Sequence, residues 1–138
     1  MRTIGIATAA VFIGGGLGAV ARYVVQGLFG ATSQGFALGL VNLAGCFAIG
    51  FVTHHLITKA KTPLAHAFLV PGILGGFTSF SAVMVIAMNL HREHPLSATL
   101  VYALGYLTMC VVAVVLGRMF SALRRGSKAE FPGGASLS

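Results

Sequence analysis

Four long charge-free stretches set the pattern of this chain. Residues 3–21, 23–58, 62–91 and 94–117 contain no Lys, Arg, Asp or Glu, and each is at least 19 residues long. A helix needs about 20 apolar residues to cross the roughly 30 Å hydrocarbon core of a bilayer. The pattern predicts four membrane-spanning helices, at about 4–29, 35–57, 64–90 and 96–120. The first does not read as a cleaved signal peptide, because Arg22 interrupts it and the apolar pattern continues without a polar mature domain. The expected fold is an all-α membrane protein: one transmembrane domain over residues 1–125 and a disordered tail over 126–138.

The third stretch carries an anomaly. Pro71 is followed by GILGGFTSFS, residues 72–81, which puts three glycines and three hydroxyl side chains at the centre of a membrane-length segment. Proline lacks an N–H and clashes with the preceding turn, while glycine tolerates non-helical dihedrals. The composition predicts a span broken mid-membrane. Unwound backbone cannot face lipid, because each unsatisfied polar group costs several kcal/mol there; it must meet protein, water or an ion. The other reading is a kinked but sealed helix whose Ser and Thr hydroxyls bond their own backbone.

Composition agrees with a membrane solvent. Of 138 residues, 57% are hydrophobic and 8% charged, and mean hydropathy is +0.92. A soluble domain this small cannot hide so much apolar surface. The net charge of +7 lies at the edges of the spans, which argues for topology rather than nucleic acid. Arg2, Lys59, Lys61, Arg118, Arg124, Arg125 and Lys128 fall on the side of the termini, against Arg92 and at most Arg22 on the other. The positive-inside rule then puts both termini in the cytoplasm, and the basic RRGSK segment reads as a topology signal aided by anionic lipid. Cys46 and Cys110 lie deep in spans two and four and read as small buried residues rather than a disulfide or metal pair. His54, His55, His91 and His94 sit at span ends and read as interfacial polar groups rather than a zinc site.

The acidic residues exclude whole classes of function. The chain has no Asp, and its only Glu residues, Glu93 and Glu130, lie in a loop and the tail. Proton- or cation-coupled carriers need an ionisable carboxylate within the membrane. Serine-triad and paired-carboxylate catalysis are equally out of reach, so no enzyme is expected. Arg22 is the charge that remains within a span. It reads either as a snorkelling anchor or as an electropositive element for an anion, since Arg keeps its charge in nearly any surroundings. GGGLGAVA fits a dinucleotide pattern through Gly14, Gly16 and Ala19, but no strand precedes it and no acidic residue follows at the required distance. Gly14 and Gly18, Gly35 and Gly39, and Gly72 and Gly76 have the small-xxx-small spacing of close helix packing.

Polar groups recur at similar depth in the other spans. Asn42 lies mid-span in ALGLVNLAGCFAIG, and Tyr102, Tyr106 and Thr108 share roughly one face of span four. Each alone reads as an interhelical hydrogen bond or a packed hydroxyl. With the interrupted span and Arg22, they outline a narrow polar path without carboxylates, which favours anions.

GGGLGAVARY, LVNLAGCFAIG and GGFTSFS, at these intervals in a four-span chain, resemble the CrcB/Fluc fluoride channel family over about residues 10–120. The resemblance implies a passive fluoride channel in the bacterial inner membrane, assembled as an antiparallel dimer with two pores and a structural Na⁺ at its centre. It assigns the Na⁺ to the backbone carbonyls of Gly75 and Thr78 from both copies. Phe80 matches the first aromatic of the family's phenylalanine box, whose positive ring edge contacts F⁻. Asn42 matches the pore asparagine and Arg22 the vestibule arginine. Ser81 and Tyr102 fall on the polar track, with Tyr106 and Thr108 as further span-four positions.

The family's second box phenylalanine corresponds to Val83, and its TTFST reads Thr78-Ser79-Phe80-Ser81-Ala82. Homodimers that insert both ways call for nearly balanced Lys and Arg, whereas seven against two favours one orientation. Both a homodimer and a heterodimer with an oppositely inserted paralogue therefore stay open. So do two other functions: a small dual-topology multidrug-type carrier, which lacks its carboxylate here, and a non-conducting partner subunit, for which Val83 argues.

Overall fold

The structure, a computed structural model, describes residues 2–29, 34–59 and 63–129. It is all-helical among those residues. Helix α1 spans Arg2–Gly27 and α2 spans Gln34–Lys59. The third stretch is composite: α3 (Pro63–Ala67), a π-helical segment (Phe68–Leu74), the single turn α4 (Gly75–Phe77) and α5 (Phe80–Glu93). Helix α6 runs over Leu96–Ala129. Four stretches are long and apolar enough to cross a membrane: Ile4–Gly27, Gly35–His55, Pro63–Glu93 and Leu96–Arg124. They agree with the four predicted spans to within a few residues, and the chain is a multi-pass membrane protein.

Helix α6 continues through Ala129, past position 126 where the tail was expected to begin. Gly126 alone does not stop it, since one glycine costs only about 1 kcal/mol in a helix of Ala, Leu, Arg and Lys. The rest of the expected tail, 130–138 with Glu130, lies outside the described residues, as does Lys61 of the basic side.

Two seams hold the bundle. Along the first, α1 packs against the π segment and α4. Gly14, Gly18, Gly72 and Gly76 bring backbone onto backbone there: a Cβ on Gly18 would strike the Ile73 carbonyl, and one on Gly76 the Gly15 carbonyl. Along the second, α2 packs against α6 with both helices running the same way, Asn42 meeting Tyr106 and, further on, His54 meeting Ser121. Gly50 lies on the Val114 carbonyl and Gly117 on that of Phe47. Two of the three small-xxx-small pairs thus close the α1 seam. Gly35 and Gly39 do not act as a contact: a Cβ on Gly39 would meet nothing, and one on Gly35 only the tip of Ile86. Gly50 and Gly117 close the second seam, Gly117 standing between Ala113 and Ser121 in a small-xxx-small run that both of those buried residues share.

The bundle is apolar outside and sparingly polar inside, as a lipid solvent requires. Phe12, Met88 and Val101 are exposed, whereas Asn42, Ser79 and Ser121 are buried beside Ala37, Leu38, Val41 and Val83. At the far end His54 Nδ1 lies 3.1 Å from Ser121 Oγ.

Candidate functional site

The interior polar groups converge where the third stretch leaves helical geometry. Pro71 and the glycines do not open it. Pro71 lies inside the π segment, and Gly75 keeps φ −65° and ψ −38°. The wider π turn accommodates a ring that would clash with the carbonyl four residues back in an α-helix. Thr78 (φ −80°, ψ 153°) and Ser79 (φ −144°, ψ 103°) instead adopt extended backbone between α4 and α5.

Asn42 stabilises that departure. Its Oδ1 accepts from the Ser79 N–H at 2.7 Å, and its Nδ2 donates to the Ser79 carbonyl at 3.1 Å. In a continuous helix the Ser79 N–H would point to the Gly75 carbonyl; here a side chain from α2 takes it. The same Nδ2 donates to Tyr106 Oη at 2.9 Å, and Tyr106 passes its own proton to the Leu38 carbonyl at 3.3 Å. Ser79 Oγ accepts from the Ala82 N–H at 3.3 Å, capping α5 at its N-terminus. Thr78 Oγ1 turns back to the Leu74 carbonyl at 3.1 Å. The extended pair is therefore satisfied almost wholly by its surroundings.

Beside this node lies a cavity of about 200 Å³, bordered by Asn42, Ser79, Phe80, Val83, Tyr106 and Cys110, with Cys46 and Thr78 at its wall. A larger groove of about 530 Å³ between Leu40, Phe47, Met109 and Leu116 is lined by apolar side chains alone. Nothing there could orient an ion, so the smaller cavity is the candidate site.

The residues singled out in the sequence divide as follows. Asn42, Phe80 and Tyr106 border the cavity. Ser81 adjoins it, its Oγ 3.3 Å from Ser79 Oγ. Tyr102 lies one turn from Tyr106, ring centroids 6.1 Å apart. Arg22 reaches in from α1, its guanidinium donating to the Thr78 carbonyl at 3.5 Å, the weak limit of a hydrogen bond. Thr108 is not brought to the cluster: it is exposed and its hydroxyl donates to the Leu104 carbonyl of its own helix at 2.8 Å. Two residues from Tyr106 is more than half a turn around the helix, which points it elsewhere. Phe80 borders the cavity and is at the same time 63% exposed.

Ser79 carries more of the site than its sequence announced. Its signal is that of a helix N-cap, a Ser just before an apolar helical run. Among the described residues no group of three or more His, Cys, Asp or Glu gathers. A site for a hard cation here would be built from backbone carbonyls, of which Gly75 lacks its usual Ser79 donor and Thr78 lies in extended chain. Carbonyl oxygens are suitable ligands for such an ion.

Four apolar spans around a buried polar node, with extended backbone at Thr78 and Ser79 in the third, define a small helical membrane protein built around an interior polar site. Residues 9–118 match the family described as CrcB-like protein, Camphor Resistance (CrcB), and the chain belongs to that family. It is 41% identical over 109 residues to a protein of Paracoccus denitrificans named fluoride-specific ion channel FluC, covering 78% of this chain and 87% of the relative. A protein of the same name from Chlorobium luteolum is 40% identical (75% and 83% covered), and one from Aquifex aeolicus 38% identical (78% and 90% covered).

Proposed function

We propose that this protein is a fluoride-selective channel that lets F⁻ leave the cytoplasm passively. The observation that carries the reading is the Asn42–Ser79–Tyr106 node: neutral hydrogen-bonding groups lining a small cavity beside an aromatic ring, with no carboxylate among the described residues that border it. HF crosses membranes, dissociates in a near-neutral cytoplasm and traps fluoride inside, so a leak for the anion alone confers resistance. No coupling group is required. Hydroxyls, the Asn42 amide and ring edges offer a small hard anion replacements for its water, while the narrowness of the path works against chloride. Arg22 supplies positive potential at the approach. This is transport, not catalysis.

The same reading includes an antiparallel dimer with a structural Na⁺ on the carbonyls of Gly75 and Thr78 from both copies. The break between α4 and α5 supports it by directing the Ser79 N–H away from Gly75, and the exposure of Phe80 beside the cavity suits it for lining a path completed by a second copy. Seating the ion at Thr78 displaces the long Arg22 contact. The charge bias puts the termini on the cytoplasmic side of a bacterial inner membrane. Val83, buried where the family carries its second ring, favours a second version, in which a paralogue inserted the other way contributes that ring.

Efflux from liposomes holding only this purified chain, with a valinomycin-clamped K⁺ gradient, tests the proposal. Fast fluoride release without chloride release is expected of a self-sufficient homodimer. Silence that an oppositely oriented paralogue relieves selects the heterodimer. Chloride leaving as fast as fluoride would overturn selectivity and the reading with it.

A further inference from the structure

The parallel seam between α2 and α6 pairs residues 64 to 70 positions apart, Phe47 meeting Gly117 and His54 meeting Ser121. Asn42 meets Tyr106, 64 positions on, and Gly50 meets Val114, again 64 positions on. Cys46 and Cys110 share that offset and lie one helical turn from each of those contacts. The seam therefore brings the two cysteines to facing positions beside one cavity. Both border the cavity that Asn42 and Tyr106 line, near enough for each thiol to feel the other. Both are free and half-buried.

We propose that Cys46 and Cys110 form a two-coordinate binding site for a soft, thiophilic divalent metal ion, Hg(II) being the type, whose occupation obstructs the cavity. Thiolates select soft metals. Two thiols alone do not satisfy zinc, which takes four ligands in a structural site, and no third His, Cys, Asp or Glu joins them among the described residues. Charge narrows the choice further. Hg²⁺ and two thiols give a neutral bis-thiolate and release two protons; each sulfur forms one metal bond, each S–H bond breaks, and nothing is oxidised or reduced. A monovalent ion such as Cu(I) would leave a net negative complex in an apolar seam, where an unpaired charge is heavily penalised. The complex would lie one turn from the Asn42–Tyr106 bond, against Phe80 and Val83. Binding stands on the thiol geometry alone, whereas inhibition of flux rests on the fluoride-channel reading.

The test is a titration of the reduced full chain, in lipid nanodiscs, with mercuric chloride. The near-ultraviolet thiolate-to-metal absorption is expected to saturate at one metal per chain, with two protons released per metal. β-Mercaptoethanol should strip Cys46→Ser and Cys110→Ser at concentrations at least about tenfold below those that strip the wild type, because the second thiol acts at high effective concentration. Wild type stripped as readily as the single variants, or saturating at two metals per chain, would overturn the paired site; the proton count needs no variant and is independent of how the variants fold. In liposomes, one equivalent of mercuric chloride should slow fluoride efflux at least about tenfold relative to the untreated wild type. One bound metal with unchanged efflux would uphold the site and overturn the obstruction, placing the anion route elsewhere.

Discussion

Two places in the third stretch depart from α-helical geometry, seven residues apart, and their outcomes are opposite. Around Pro71 the residues are those most often blamed for breaking helices, yet the backbone there only widens into π turns and stays packed on α1. At Thr78–Ser79 no residue is a strong breaker, yet the chain extends. The difference lies in the partners. Against α1 the glycines allow backbone to lie on backbone, which favours a regular rod without side chains in the way. At Ser79 an amide from α2 offers both a donor and an acceptor at the right separation. In hydrocarbon a helix opens where another group satisfies the released N–H and C=O, not where its own residues are weakest.

That comparison is most sharply broken at Asn42. Asn42→Ala leaves two buried backbone groups of Ser79 and the Tyr106 hydroxyl without their partner, and should destabilise the protein by about 2–3 kcal/mol and abolish fluoride efflux. Thermal unfolding in detergent and liposome flux measure the two effects; full flux in the variant would mean that Asn42 does not hold the opening. Ser79→Ala is expected to act less. It removes the cap on Ala82, at about 1 kcal/mol, but keeps the backbone groups that Asn42 binds, so the opening and most of the flux should persist. The smallest effect is expected at Pro71. Because the π turn already accommodates its ring, Pro71→Ala should change stability by less than about 1 kcal/mol and leave efflux within about twofold. A large loss of flux in Pro71→Ala with little in Asn42→Ala would invert the comparison and return the opening to the proline.

The span-four residues show how far spacing reaches. Tyr102 and Tyr106, four apart, do lie together on one face. Thr108, expected on that same face, is not on it: two positions from Tyr106 is more than half a turn, and its hydroxyl is bound to its own backbone at an exposed position. Cys46 and Cys110 illustrate the converse. Each reads as an unremarkable small residue in its own span, and only the shared offset of α2 and α6 makes them neighbours.

The sequence by itself determined the solvent, the number of spans and the exclusion of carboxylate chemistry. Those follow from composition along a line: charge-free runs of sufficient length are driven into lipid whatever their neighbours do. It also marked Asn42, Arg22 and the Thr78–Ser81 hydroxyls as out of keeping with an apolar core, while Phe80 stands out only through the family resemblance. Only the tertiary structure decided which of them meet. Seam register, set by Gly50 and Gly117 in one seam and Gly14, Gly18, Gly72 and Gly76 in the other, places Asn42 opposite Ser79 and Tyr106 and confines the opening, expected somewhere in 72–81, to Thr78–Ser79. A hydrogen bond between spans depends on the rotation and height of two helices at once, and a single strand of letters carries neither.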